Sequence, residues 1–473
     1  MADPATSGQI AARTLRELRR SEYRTRSIKA ELRANLVRRL STGDRLFPGI
    51  LGYDETVVPQ VENAILSGQD IVLLGERGQA KSRLIRSLTA LLDDAIPAIA
   101  GCEINDDPYK PICPRCRDLL KERGDDVEID WLTPDQRYSE KLATPDTSIA
   151  DLIGEVDPIR VAEGRYLSDE YTIHYGLVPR TNRGIFAINE LPDLAERIQV
   201  GLLNIIEERD VQIRGYRIRL PLDVYVVATA NPEDYTNRGR IITPLKDRFG
   251  AQVRTHYPQT IDHEMAIVEQ ERTVFDEEPV PVHVPAFMKE IIAEVTHLAR
   301  RHPQVNQRSG VSVRVTIANF ENLSSNALRR ALITGEKEAV ARISDLSGVL
   351  SSTSGKVELE TWEESDDSSI LDKIIRTACN NVFRRHFNVG EFSNLVQRFE
   401  RGGFTVEVGD HLPANAYRPS IDELPGIDKA RQKLGEPATA ASQAAVLEFV
   451  LEGLHLGKRL NKTAVDGTAI YGG

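Results

Sequence analysis

No run in this chain approaches the ~18 consecutive apolar residues that a membrane-spanning helix needs, so no membrane span is expected. Cysteine is scarce, four in 473 residues, too few for a disulfide scaffold and suited to a reducing compartment. The first residues, MADPATSGQI, lack the basic-then-apolar pattern of a secretion signal, which makes a cytoplasmic location the expectation. A general excess of positive charge is missing too. The net charge is −11, which argues against a broadly basic nucleic-acid-binding surface. Basic residues concentrate only at the start, where residues 1–46 hold eleven Lys/Arg against five Asp/Glu. That stretch reads as a solvated basic helix with Ile28, Leu32, Leu36 and Leu40 as its buried stripe.

What is present is an ordinary globular composition, 41% hydrophobic and 28% charged, at a length that suits about two to four domains. The stretch QDIVLLGERGQAKSRLIRSLTALL switches from a strand (Ile71 to Leu74) through a glycine-containing loop into a helix. Gly75-Glu76-Arg77-Gly78-Gln79-Ala80-Lys81-Ser82 is therefore in the context of a phosphate-binding loop. Glycines let the backbone wrap phosphates, Lys81 would reach the β/γ-phosphates, and Ser82 can ligate Mg2+. The usual glycine before the lysine is Ala80, which is tolerable if that residue is near-helical.

A second buried strand, GIFAINE, ends in Asn189-Glu190. A carboxylate such as Glu190 at that position would orient the attacking water, and its neighbour would hold Mg2+ through water. Asn189 keeps a carbonyl oxygen for that task but lacks the charge. VVATANPED places Asn231 at the tip of another buried strand, where an amide could help hold the water. LKDRFG carries Arg248, a candidate finger toward a neighbouring subunit's γ-phosphate, and GVSVRVTIANF carries Arg314 near the start of a helix.

The series GERGQAKS, GIFAINE, ATANPED, LKDRFG and SVR resembles AAA+ ATPases of the group that includes magnesium-chelatase motor subunits, MoxR-like ATPases and MCM helicases. The likeness is greatest to chelatase subunit I and covers roughly residues 47–345. LIGEVDPIRVAEGRYLSDEYTIHYGLVPRTNRGIFAINEL resembles that family's helix-2 insert running into its Walker B strand, and EERDVQIRG its pre-sensor hairpin. The resemblance implies that Lys81 and Ser82 are Walker A, Glu190 the Walker B glutamate, Asn231 sensor 1, Arg248 the trans arginine finger and Arg314 the sensor 2 arginine. Ala-Lys-Ser also occurs in related members, whereas Asn189 departs from the family's usual Asp.

The expected fold is α/β, an AAA+ P-loop core of parallel sheet and flanking helices, with a helical lid and an extra helical C-terminal region. Basic N-terminal helices would occupy 1–46 and the nucleotide-binding domain 47–256. That domain would contain an irregular cysteine-bearing insert at about 101–145 and the helix-2 insert at about 149–180. The lid would span 257–345 and an acidic linker or insertion 346–372. A helical region would fill 373–473, its best helix presenting Leu447, Val450, Leu451 and Leu454 on one face.

Cys102, Cys113 and Cys116 supply one CxxC and a distant partner. A structural Zn2+ site needs a fourth ligand, and His174, Cys379, Asp106 or Asp107 would have to serve. Ordinary reduced cysteines are the simpler reading. The functional expectation is a ring-forming ATP-driven motor, hexameric by resemblance, that remodels a partner protein with a von Willebrand factor A (VWA) domain in the MoxR manner. The alternative is a magnesium-chelatase ATPase subunit driving Mg2+ insertion into protoporphyrin IX. Two weaker readings are a DNA translocase using Arg214, Arg217 and Arg219, which the acidic charge disfavours, and a slow-hydrolysing nucleotide-gated scaffold. Asn189 predicts slow turnover with a high Mg2+ requirement.

Overall fold

The computed structural model describes residues 12–156, 173–207, 210–212, 219–231, 239–306, 310–359, 364–465 and 468–473. It divides into two compact units, Met1–His256 and Tyr257–Gly473.

The first unit is built on a five-stranded sheet of β1 (Ile71–Leu74), β2 (Tyr138–Leu142), β3 (Gly184–Asn189), β4 (Val224–Ala230) and β5 (Ala251–Arg254). The strands lie in the order β5-β1-β4-β3-β2 and every neighbouring pair is parallel. A parallel sheet must bury both faces, and the sequence of β3 does so residue by residue. Ile185 and Ala187 join Leu73, Tyr225 and Val227 in one core with Leu32, Val61 and Leu84. Phe186 and Ile188 point the other way, into a core with Val226, Ile198, Leu202 and Leu245. Inserting β4 between β1 and β3 lines up the carboxyl ends of three strands, the place where open α/β sheets bind ligands.

The basic helix Ile28–Thr42 packs on this unit through Ile28, Leu32 and Leu36. Leu40 is 43% exposed, against expectation. Successive steps of four residues drift by about 40° round a helix of 3.6 residues per turn, so the stripe turns outward by its fourth member. The helix is further fixed by Glu31, whose carboxylate accepts from Arg137 Nη1 and Nη2 at 2.7 and 2.6 Å with both side chains buried.

The cysteine-bearing insert is shorter and more regular than expected. It contains helix Pro114–Arg123 and strand Ile129–Leu132, which pairs antiparallel with Ile96–Ile99. Its expected last residues, Tyr138–Leu142, are instead the edge strand β2. YSEKL lacks the apolar run of a buried strand because it has only one neighbour, β3. The helix-2 insert shows an antiparallel pair, Gly154–Val156 with Ile173–Tyr175, and its tip, 157–172, lies outside the described residues. Strands Asp210–Gln212 and Arg219–Pro221 pair as a hairpin. Arg214 and Arg217 lie outside the described residues, and so does the Arg219 side chain.

In the second unit, helices Ala286–Ala299, Val313–Thr334, Glu364–His386 and Ala440–Leu456 share one hydrophobic core. Helix Ala440–Leu456 is buried on all sides rather than on one face, and its residues Ala444–Leu454 are all covered. Its two acids are internally satisfied. Glu448 accepts from Tyr417 Oη and Ser344 N at 2.7 Å each, and Glu452 accepts from Lys462 at 2.7 Å. The stretch 346–372, expected as a linker or insertion, contributes helix Val349–Ser354 and the start of Glu364–His386, so it is built into the unit. The unit also holds a three-stranded antiparallel sheet with Thr468–Gly472 between Val406–Gly409 and Asn461–Val465. No helix among the described residues is long and apolar enough to cross a membrane.

Candidate nucleotide site

β1 is apolar throughout, and the chain turns at Gly75 as it leaves the sheet. The turn has no room for a side chain: a Cβ on Gly75 would fall 1.9 Å from Thr255 Oγ1 and 2.2 Å from Gln79 Oε1. Those two atoms hydrogen-bond each other at 2.7 Å, and Gln79 Oε1 also accepts the Glu76 N–H at 3.1 Å. The loop is thus wound around the buried Gln79 side chain, while Arg77 is exposed at its crest. Gly78 has φ 76°, and Ala80 has φ 54° and ψ 18°. Ala80 is therefore not near-helical as expected. It holds a left-handed conformation that costs an L-residue about 1–2 kcal/mol, stored where the loop enters helix Lys81–Ser87.

Lys81 is buried, and its ammonium donates to Gly75 O, to Glu76 O at 2.8 Å and to Asn231 Oδ1 at 2.6 Å. Ser82, next in the helix, is half-buried. Asn231 follows β4 directly, and its Nδ2 donates to Glu190 Oε2 at 2.5 Å. One amide therefore bridges the loop lysine and the carboxylate beyond β3. Glu190 itself has φ 56° and ψ 48°, a second non-glycine residue held in a sparsely populated region, as functional sites often are. Its N–H is held by Thr229 Oγ1 at 3.0 Å.

Asn189 closes β3 with 9% exposure. Its Oδ1 accepts from Thr229 Oγ1 at 3.3 Å, and its Nδ2 donates to Glu140 Oε1 at 2.5 Å. Glu140, on β2, also accepts from Arg86 Nε at 2.7 Å, Arg86 Nη2 at 3.0 Å and Tyr138 Oη at 2.9 Å. Burial pushes the Glu140 carboxyl up, but the hydrogen bonds from Arg86, Tyr138 and Asn189 outweigh it and hold the group below its ordinary value. The charge missing at Asn189 is thus present on the next strand, and the amide is the side chain that can donate to it.

The first unit brings together Lys81, Asn231 and Glu190, with Asn189 linked through Thr229. Arg248 ends helix Thr243–Arg248 with 40% of its side chain exposed, 3.2 Å from Asp247 Oδ2. Arg314 belongs to the second unit, in the first turn of helix Val313–Thr334, with its N–H on the cap Ser312 Oγ at 3.1 Å. Thr255, Thr229, Glu140 and Arg86 were not singled out in the sequence. No local motif marks them, because each acts across strands, whereas Gln79 was named within the loop motif. The cysteines Cys102, Cys113 and Cys116 do meet, and the acid that joins them is Asp106. Asp107 instead accepts the Tyr109 N–H at 2.9 Å, and Cys379 is buried in the second unit.

No family model matches the chain. It is similar to the magnesium-chelatase 38 kDa subunit of Rhodobacter capsulatus, 27% identical over 246 residues that cover 49% of this chain and 62% of the relative. The magnesium-chelatase subunit ChlI of Synechocystis sp. matches at 24% identity over 359 residues, 72% of this chain and 94% of that one. A ChlI homolog of Methanocaldococcus jannaschii matches at 27% over 266 residues, 54% of this chain and 65% of the homolog. Against the first two curated relatives the chain spans 62% and 64% of their length. A solved-structure chain from the BchI–BchD complex of magnesium chelatase is 21% identical with a TM-score of 0.35, covering 66% of this chain and 96% of that one.

The loop around Gln79, the buried Lys81 and the strand order define a P-loop-type α/β core, and in sequence the chain is similar to magnesium-chelatase subunit I proteins. The relatives' names favour the chelatase reading over the MoxR-like motor expected from Asn189 and the C-terminal region.

Proposed function

We propose that the chain hydrolyses ATP as a motor of the chelatase subunit I type, coupling turnover to a partner protein in Mg2+ insertion into protoporphyrin IX. The observation that carries this reading is the bridge Lys81–Asn231–Glu190 at 2.6 and 2.5 Å. The tight glycine turn brings the loop carbonyls of Gly75 and Glu76 onto the buried Lys81 ammonium, a cation placed to suit a polyphosphate. An arriving phosphate competes with Asn231 for the Lys81 ammonium. Releasing that contact leaves Asn231 free to reorient and Glu190 free to accept a hydrogen bond from the attacking water.

Ser82, and Asn189 through water, would hold Mg2+, whose charge neutralises the β- and γ-phosphate oxygens. Glu140 adds negative charge beside Asn189, so the site retains a carboxylate near this position. Arg248, exposed at the end of its helix, would act on a neighbouring copy's nucleotide, which implies a ring, a hexamer by resemblance. By the same resemblance Arg314 takes the sensor 2 role. The partner would carry a VWA domain, and nucleic acid is not proposed as a partner.

The test is steady-state hydrolysis by the purified chain in Mg2+ and ATP, with Lys81→Ala as control. Turnover that persists in Lys81→Ala refutes the site. A pull-down with Glu190→Gln in ATP then separates the clients. A porphyrin-binding subunit supports the chelatase reading, and an unrelated VWA protein replaces it with the MoxR-like one.

A further inference from the structure

The insert between Ile96–Ile99 and Ile129–Leu132 carries a cluster that nucleotide chemistry leaves unused. One ligand atom from each of Cys102, Asp106, Cys113 and Cys116 lies within 4.8 Å of all the others. We propose that these four residues form a structural Zn2+ site that fixes the insert against the segment entering β3.

Size selects a single ion. Zn–S bonds of about 2.3 Å place tetrahedral ligands about 3.8 Å apart, so small side-chain adjustments would close this cluster on one metal. An iron–sulfur cluster, in which each iron carries its own thiolate, needs a wider cage. Ligand softness selects the element: three thiols with one carboxylate suit zinc, whereas Ca2+ and Mg2+ require oxygen.

Burial supplies the second argument. Asp106 is 0% exposed, Cys116 1% and Cys113 4%. The Asp106 oxygens accept the N–H groups of Ile112 at 3.1 Å and Cys113 at 3.0 Å, and among the described ion pairs no Lys or Arg reaches it. A buried carboxylate without a cation is costly, and a metal among the thiols would provide that cation. The surroundings are arranged for thiolates as well. Asp106 N–H points to Cys102 Sγ at 3.4 Å and Cys116 N–H to Cys113 Sγ at 3.3 Å. Cys113 also caps helix Pro114–Arg123, whose N-terminus favours negative charge. A simple CxxC redox pair would leave Cys102 and Asp106 without a role.

The site is tied to the catalytic strand. Asn182 Nδ2 donates to Ile104 O at 3.1 Å, Asn105 Nδ2 to Arg180 O at 2.9 Å, and Arg183 Nη1 to Pro97 O at 2.7 Å. Residues 180–183 lead directly into β3, and Cys113 and Cys116 share a core with Phe186 and Ile188 of that strand.

Metal analysis of the full chain, purified in reductant without chelator, tests the proposal. About one zinc per chain is expected, released on thiol modification. Co2+ exchange should give a thiolate-to-cobalt charge-transfer band with tetrahedral visible absorption. Cys113→Ser/Cys116→Ser should lose both signals, and Asp106→Asn should weaken zinc retention about tenfold or more. Should the double variant fail to fold, the wild-type cobalt spectrum decides. Absence of zinc both as purified and after incubation with Zn2+ overturns the proposal. So does a cobalt spectrum without thiolate bands, or undiminished zinc in the double variant.

Discussion

Replacing Asn189 by Asp introduces the residue that the sequence resemblance leads one to expect there, yet the structure predicts that it damages the protein. The Asn189 amide donates to Glu140 Oε1 at 2.5 Å, so Asn189→Asp removes a hydrogen bond to a charged group and sets two carboxylates against each other. The lost bond is worth about 1.5–3 kcal/mol. Like charges at this range add up to ~4 kcal/mol at an effective dielectric of 20. Arg86, paired with Glu140 at 2.7 Å but 64% exposed, and surrounding solvent cut the repulsion well below that. A net loss of about 3 kcal/mol lowers the melting temperature of a unit this size by about 6–12 °C.

The sign with pH follows. The new carboxyl would have a folded-state pKa raised above its ordinary value of about 3.9, so the deficit is full at neutral pH. It shrinks as pH falls through the raised value, where the protonated acid can donate to Glu140. Thermal unfolding at pH 7 and pH 4.5, with Glu140→Gln alone and combined, completes the cycle. The combined variant should recover most of the loss. A melting point for Asn189→Asp within ~1 °C of wild type at pH 7, or no rescue by Glu140→Gln, refutes the reasoning.

Ala80→Gly should relieve the left-handed strain at φ 54° and raise stability by about 0.5–1 kcal/mol, read by denaturant unfolding. Asn231→Ala should cut the ATP turnover rate by roughly 10²-fold or more while leaving nucleotide affinity within a few-fold, measured by steady-state kinetics and fluorescent-nucleotide binding. In the second unit, Glu264 is wholly buried and accepts from Arg300 at 2.6 and 2.9 Å, His297 at 3.1 Å and Thr316 at 2.5 Å. Burial raises its carboxyl, but these bonds prevail and hold it below the ordinary value. Its contribution is therefore present above about pH 4.3 and lost as pH falls. Glu264→Gln should cost about 3 kcal/mol at pH 7, with the difference from wild type narrowing in acid, as followed by far-UV circular dichroism.

The buried strands were legible because an apolar run bounded by a glycine loop or a polar tip has one reading in a parallel sheet. Ile71–Leu74, Gly184–Asn189 and Val224–Ala230 all carry that mark. The edge strand Tyr138–Leu142 was not legible, because one open side removes the apolar signal. Motif spacing named Lys81, Glu190 and Asn231, but not the bond network that joins them. Glu140 lies 49 residues from Asn189 and is brought there by strand pairing alone. Asp106 was one of several acids near the cysteines, and only the folded insert distinguishes it from Asp107. Leu447, Val450, Leu451 and Leu454 mark one apolar face of Ala440–Leu456, and the burial of Glu448 and Glu452 becomes intelligible only with Tyr417, Ser344 and Lys462 beside them.

On the proposed function, Glu190, held by Asn231 beside Lys81, activates water for ATP hydrolysis. Measuring ATP binding and single-turnover hydrolysis by Glu190→Gln in the same preparation tests it most directly. ATP affinity is expected within a few-fold of wild type and hydrolysis reduced at least ~10²-fold. Hydrolysis at the wild-type rate in that variant would contradict it.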